Sequence, residues 1–334
     1  MKAFVTGGTG LLGSNLVYRL LAGGHEVKAL ARSPEKASRV LGGTGAGIVI
    51  GDMRAVESFA GQLDGCDVLF HTAAYFRESL RAGRNEAEAM AVNVQGTMRL
   101  FEEAGRRGVR QIVYVSAAGL VGMKPAGEAG DESTGSGTVA GSSEYFRSKL
   151  EAERALKAFR ERSPARVIDI LPGWMFGPHD GGPTGSGLLV LNYLQRRIKA
   201  RLDGGTCVVD ARDVAEAMVR AVEREGEGRY IAAGVFMTID EIFRALEEVS
   251  GVPGPRWRLP YRIVLALAWL GELGSRLTGR PVMVTVENVR LMHARLRVDS
   301  GRAIRELGIE FRPFRQTLRD EIAWLRRNRV RDGR

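Results

Sequence analysis

Residues 2–24 read KAFVTGGTGLLGSNLVYRLLAGG, and their reading decides the fold. A β-rich run, KAFVTG (2–7), passes straight into a glycine triple, Gly7, Gly10 and Gly13, spaced three apart. An amphipathic helical pattern, LLGSNLVYRLLAG, follows at once. Glycine at such positions permits a tight turn, a close backbone approach to a pyrophosphate and close helix packing. The helix that starts there directs free N–H groups and the positive end of its dipole at an anion. A glycine-rich turn alone is a weak signal. Between a strand and an amphipathic helix it is a strong one for a dinucleotide site. Thr9, Leu11 and Leu12, interleaved with the glycines, belong to the same candidate loop.

Working outward, further apolar runs alternate with helical stretches. EVKALAR (26–32), GIVIGD (47–52), DVLFHTA (67–73), QIVYVSA (111–117) and RVIDILPG (166–173) read as strands with nearly continuous apolar character. That is the pattern of parallel strands covered on both faces. EAMAVNVQGTMRLFEEAGRRG (88–108) reads as one of the intervening helices. The alternation predicts an α/β fold, a Rossmann-type doubly wound parallel sheet. After Pro172 the rhythm changes at GPHDGGPTGSG, and helices with short strands dominate. We therefore expect a dinucleotide-binding domain over 1–172, with a strand near 206–235 returning to it. The rest of 173–334 should form mainly a smaller, partly interleaved substrate-binding cap with C-terminal helices.

Composition bounds the function. The chain has 334 residues, 44% hydrophobic and 26% charged, as in ordinary globular proteins. Its two cysteines, Cys66 and Cys207, lie far apart in apolar runs, which argues for buried thiols and against a disulfide framework or a metal site. MKAFVTGG enters a strand at once and leaves no room for a signal peptide. The longest candidate span, IVLALAWL (263–270), is only eight residues. We expect a cytoplasmic protein without stable membrane association. The net charge is +10, and residues 312–334 carry eight arginines against three acids. The arginines surround IAWL in a helical pattern, and no nucleic-acid motif accompanies them, so a solvated basic helix is expected rather than a nucleic-acid partner.

About twenty residues beyond the glycines, the end of the second strand distinguishes the two nicotinamide dinucleotides. A carboxylate there binds the ribose hydroxyls of NAD; this chain has Ala31, followed by Arg32, Ser33, Lys36 and Arg39. An absent acid and three cations suit the additional phosphate of NADP(H), with NAD(H) as the alternative. Asp52 could accept a hydrogen bond from an adenine amino group, and Met53 could pack on the ring. Thr72, Ala73 and Ala74, at the end of the fourth strand, are small enough for a ribose to approach.

Tyr145 and Lys149 stand four apart in EYFRSK at a predicted helix start, so both lie on one face. They are either a solvated phenol beside a solvated ammonium or a phenol whose pKa is lowered by a cation. His179, after a Gly-Pro turn, reads as a solvated loop histidine rather than a ligand. Asp213 is a candidate N-cap for the helix in VDARDVAEA.

TGGTGLLG, GDMR, HTAA, NVQGT, VYVSAAG, YFRSK and LPGWMFGP occur in the order and approximate spacing of the extended short-chain dehydrogenase/reductase superfamily, which the chain resembles over nearly its whole length. Within it, dihydroflavonol-4-reductase-like and hopanoid-associated sugar-epimerase-like proteins are the most similar groups. The resemblance implies Tyr145 as the general acid/base, Lys149 as the cation that lowers its pKa and binds the nicotinamide ribose, and Asn93 as the residue that orients this region. It implies Pro172, Gly173 and Met175 along the nicotinamide. The family's usual serine or threonine falls on Ala117 here. Ser116, one residue earlier, points to the other side of a regular strand. Either a bulge brings Ser116 inward as the catalytic hydroxyl, or another group polarises the substrate, or catalysis is lost. The expected function is NADP(H)-dependent interconversion of a carbonyl and a secondary alcohol on a small molecule. A sugar-nucleotide epimerase or dehydratase and a non-catalytic NADP-binding redox sensor are the alternatives. A homodimer is what the resemblance implies for quaternary structure.

Overall fold

The computed structural model describes residues 1–76, 86–137, 143–278 and 284–329. The first six strands are β1 (Lys2–Thr6), β2 (Glu26–Ala31), β3 (Gly47–Ile50), β4 (Val68–His71), β5 (Gln111–Val115) and β6 (Arg166–Pro172). After them come β7 (Trp174–Phe176), β8 (Ala200–Leu202), β9 (Gly205–Asp210), β10 (Gly228–Ala232), β11 (Val235–Thr238) and β12 (Trp257–Leu259). The main sheet has seven strands in the order β10-β6-β5-β4-β1-β2-β3, every neighbouring pair parallel. Between β1 and β4 the winding reverses, which opens a crevice at the carboxyl ends of the strands.

Strand periodicity explains the two cores. Ala3, Val5, Val27, Ala29, Val113, Val115, Ile168 and Ile170 pack on one face against Leu16 and Leu20 of α1 (Leu11–Ala22) and Val214 and Met218 of α7 (Ala211–Glu223). The alternate residues Phe4, Leu30, Leu69, Ile112, Tyr114 and Val167 pack on the other face. There they meet Leu100 and Phe101 of α4 (Thr97–Arg106) and Leu156 and Phe159 of α5 (Glu144–Arg162). Each large apolar side chain so buried contributes about 1.5–3 kcal/mol relative to exposure.

Gly173 is where the chain leaves the main sheet: a Cβ there would lie 2.6 Å from the Ala233 carbonyl oxygen and 2.8 Å from that of Cys207. Beyond it, β7, β9 and β11 form a three-stranded sheet, and β8 and β12 a two-stranded one. A third core joins Phe176 and Val208 to α8 (Ile239–Ser250) and α11 (Phe314–Arg329) through Ile242, Leu246, Leu318, Ile322 and Leu325. The arginines of α11 thus flank a helix anchored by its apolar side. Of the stretch 206–235, it is β10 that lies in the main sheet.

Two local expectations are corrected, those for Asp213 and His179. The helix expected over 88–108 forms, with a π-helical turn over Ala91–Gly96 joining α3 (Glu86–Met90) to α4 without a break. Gly96 sits so close to β3's following loop that a Cβ would fall 2.4 Å from the Met53 carbonyl oxygen. Asp213 is not the cap of α7; Asp210 caps it, accepting from Arg212 N at 2.8 Å, while Asp213 is buried and paired with Arg312. His179 is not a solvated loop residue, because its ring packs 4.4 Å from that of Tyr18 and its carbonyl accepts from Ser14 Oγ.

Candidate active site

The glycine turn is built around one crowded point. Gly7 has φ +68°, and a Cβ on it would lie 2.8 Å from both Ala73 N and Thr72 Oγ1. A Cβ on Gly13 would lie 2.1 Å from the Gly7 carbonyl oxygen. Gly10 caps α1 with no side-chain hydrogen bond, so no cap side chain takes up the first-turn N–H groups of Leu11, Leu12 and Gly13. This backbone surface suits a pyrophosphate.

At the ends of β2 and β3 a cavity of about 440 Å³ is lined by Thr9, Arg32, Ser33, Lys36, Asp52 and Arg54. Arg32, Ser33, Lys36 and Asp52 are therefore brought together. Arg39 is not: its guanidinium donates to the Gly181 carbonyl at 3.1 Å. Met53 is not either, since its side chain is buried in the core beside Val56 and Phe59. Ser33 caps α2 (Pro34–Leu41), accepting from Lys36 N at 3.1 Å. Asp52 accepts from Arg54 Nε at 2.9 Å and Nη2 at 3.0 Å, and this pairing holds its carboxyl below the usual range. Arg54 is a cation of this pocket to which no role was assigned from the sequence, although it closes the GDMR run at 51–54.

Beside Gly7, the end of β4 is fastened by a buried chain of hydrogen bonds. Thr72 Oγ1 donates to the Thr6 carbonyl at 2.7 Å, and Ala73 N donates to Thr6 Oγ1 at 3.2 Å. Thr6 Oγ1 and Thr97 Oγ1 lie 2.8 and 2.9 Å from the two ring nitrogens of His71. Burial, reinforced by the charge on Lys149, pushes His71 down to about 3, so the ring is neutral. Ala74 is half-buried beyond Ala73. The π-helical turn carries Asn93, whose Oδ1 accepts from Tyr75 N at 2.7 Å and whose Nδ2 donates to Ser148 Oγ at 2.8 Å. Asn93 thereby ties the loop after β4 to α5.

Ser143 caps α5, accepting from Phe146 N at 2.9 Å, and sets Tyr145 in the first turn. Lys149, one turn on, is buried; its Nζ donates to the Val115 carbonyl at 2.7 Å and to Tyr114 Oη at 3.4 Å. Nζ lies 6.0 Å from the Tyr145 ring centre. The pair is thus gathered at the carboxyl end of β5 and is not a solvated couple. Burial pushes Lys149 down to about 8. In the protein alone the expected lowering of Tyr145 does not occur: burial pushes its phenol up, and the ammonium is engaged with Val115. Phe76 and Phe146 pack edge-on to the Tyr145 ring at 4.7 and 5.4 Å.

Ser116 is turned away from this group. Its Oγ donates to Glu153 Oε1 at 2.5 Å, its N–H continues the strand pairing with the Ile170 carbonyl, and Ala117 remains extended. No bulge delivers the hydroxyl to Tyr145, and Ala117 packs there with Leu120 and Phe146. Ser116→Ala should leave turnover within about threefold of the parent, against the hundredfold cost of losing a positioned polar donor. A hundredfold loss measured in that variant would return Ser116 to the site. Pro172 ends β6, and Gly173 and Met175 follow it half-buried, the Met175 carbonyl accepting from Ser186 Oγ at 2.6 Å.

The NAD dependent epimerase/dehydratase family model matches residues 3–234. The chain is 35% identical over 331 residues to "Sterol demethylase protein B" of Methylococcus capsulatus, covering 98% of each. It is 32% identical to a Synechocystis protein named for dihydroflavonol 4-reductase, covering 96% of this chain and 93% of that one. The crystal structure of gox2253 superposes with a TM-score of 0.82 at 28% identity, over 98% of each chain. The glycine cradle, the parallel sheet and these matches agree: the chain belongs to the NAD dependent epimerase/dehydratase family and is an NAD(P)-dependent enzyme of the extended short-chain dehydrogenase/reductase type.

Proposed function

We propose that the protein is an NADP(H)-dependent oxidoreductase that interconverts a carbonyl and a secondary alcohol on a small organic substrate. The observation that carries this reading is the cavity at the adenosine end, where Arg32, Lys36 and Arg54 converge and Ala31 stands in place of an acid. Cations there attract a ribose phosphate, and an arginine fork matches its oxygens. The residues fit a dinucleotide, because glycine at 7 and 13 lets the turn pack directly on the end of β4 and on the start of α1, whose first-turn N–H groups suit a pyrophosphate. Leu11, Leu12 and Gly13 would hold the pyrophosphate, Thr72, Ala73 and Ala74 the adenine-side ribose, and Pro172, Gly173 and Met175 the nicotinamide face. When bound, the nicotinamide supplies two-electron chemistry and, in its oxidised form, a positive charge.

The chain's own groups handle the proton. Tyr145 gives a proton to the substrate oxygen in reduction and takes it back in oxidation. Lys149, held by the Val115 carbonyl, contributes a fixed positive charge on the tyrosine's side of the cleft. Asn93 keeps α5 in register with the loop that carries Tyr75. With Ala117 at the strand end, substrate orientation falls to the aromatic wall of Phe76 and Phe146 rather than to a hydroxyl.

Titration with both dinucleotides should give tighter binding of NADP(H). Arg32→Asp and Arg54→Ala should each weaken it about tenfold or more, as expected for a charge-assisted hydrogen bond. Equal or tighter NAD(H) binding overturns the preference. The family description itself favours a second reading, a sugar-nucleotide epimerase or dehydratase. Ser116 turned to Glu153 favours a third, a binding protein without turnover. Net oxidation of NADPH matched by alcohol formation, in a screen of carbonyl compounds, supports the reductase alone.

A further inference from the structure

Helix α9 (Tyr261–Thr278) has the wrong face outward for an ordinary surface helix. Such helices turn their apolar stripe to the core and their charges to water. Here Ile263, Leu267, Leu270 and Leu273, at helical spacing, are all exposed, with Leu267 at 54% and Leu270 at 55%. Trp269 is exposed at 59%, and Trp257, on the strand just before the helix, at 72%. Among the described side chains of α9 the charged ones are Arg262 and Glu272, and Glu272 is turned aside to accept from Val286 N at 2.8 Å. The inward side is short: Ala268 is buried, and Tyr261 stacks at 3.8 Å on His293 of α10 (Val286–His293). Contiguous apolar surface of this kind marks an interaction site.

Charge beside the stripe narrows what covers it. β12 pairs with β8, so that Trp257 lies opposite Ala200 and Arg258 opposite Arg201. The two segments that carry these strands, RRIKARL (196–202) and RWRLPYR (256–262), hold seven cations and no acid. Arg196, Arg197, Lys199, Arg256 and Arg262 are exposed there, while Arg201 and Arg258 share Asp240. A tryptophan-bearing apolar stripe bordered by cations is the chemistry of a helix lying in the headgroup region of an anionic bilayer. A second copy of the chain would set each cationic border near its equal, which is unfavourable.

We propose that β12 and α9 form a docking surface for anionic phospholipid bilayers, with the stripe embedded and the flanking cations on the headgroups. Among the described residues no helix is long and apolar enough to cross a membrane, and this mode needs none. The proposal stands apart from the cofactor and substrate reading above.

Co-sedimentation with phosphatidylcholine vesicles containing phosphatidylglycerol tests it. The parent chain should pellet with them, should stay in solution with phosphatidylcholine alone, and should be released by high salt. Leu267→Glu/Leu270→Glu and, separately, Arg256→Glu/Arg262→Glu should each lower vesicle binding at least tenfold, with thermal melts like the parent's. Should the first pair fail to fold, Trp257→Ser/Trp269→Ser supplies the apolar arm. A parent chain that never pellets, or variants that pellet as the parent does, overturns the proposal. So does a parent dimer that ignores vesicles and becomes monomeric in Leu267→Glu/Leu270→Glu, because the face then belongs to a second copy.

Discussion

Tyr145→Phe is expected to lower turnover by about a hundredfold to ten-thousandfold, the range a positioned proton donor contributes. Dinucleotide affinity should stay nearly unchanged. The ring contacts with Phe76 and Phe146 depend on the ring and not on the hydroxyl, so the helix start keeps its packing. Lys149 also keeps its place, since its bond is to the Val115 carbonyl and not to the phenol. What disappears is the proton that the proposed mechanism passes to the substrate oxygen. Steady-state rates on a carbonyl substrate, with dinucleotide titration of the same preparation, give the answer. Parent-like turnover in the variant would remove Tyr145 from the chemistry and leave the binding reading standing.

Gly13→Ala carries the second large effect, and here two physical terms oppose each other. In a helix, alanine is better than glycine by about 1 kcal/mol. Against that, the new Cβ would lie 2.1 Å from the Gly7 carbonyl oxygen and 2.9 Å from Thr72 Oγ1. The Gly7 carbonyl is not free to retreat, because it accepts from Gly10 N at 2.9 Å and its residue is held at φ +68°. Overpacking of a tight site costs about 1–3 kcal/mol, so the clash wins. The expected outcome is a lower melting temperature and dinucleotide affinity reduced more than tenfold, read by thermal melts and titration. A variant as stable as the parent, with parent-like affinity, would show that α1 and the turn can separate without loss.

How much of this was readable in the sequence depends on whether a feature is local. The β1–turn–α1 unit was legible because its glycines, its strand and its helix are contiguous. The spacing of Tyr145 and Lys149 was legible because a helix turns every 3.6 residues. The absence of an acid at Ala31 was equally plain. Arg54 was not, because it reaches the pocket only when β3 pairs with β2 and carries residues 52–54 to the strand ends. The partner of Ser116 was hidden for the same reason: Glu153 lies 37 positions away and meets it through the packing of α5 on the sheet. Arg39 misled, since its charge belonged to the right cluster while its side chain leaves for the Gly181 carbonyl. The outward stripe of α9 was read only as too short to cross a membrane, because hydropathy does not say which side of a helix is covered.

The seat of β10 at the edge of the main sheet bears on how the chain can be made. β10 and α7 come from residues 211–232, yet β10 closes the side of β6, and α7 covers Val113, Ile168 and Ile170. A ribosome that has released only the first 172 residues has exposed all six earlier strands and neither of these covers. The nascent sheet then has an open β6 edge and an apolar face in contact with water, a state prone to mispairing. Completion waits for about sixty further residues, which include the loop after Gly173 and the strands β7, β8 and β9. The carboxyl half of the chain is therefore interleaved with the main sheet, and a gene cut after residue 172 would yield a fragment whose sheet cannot close.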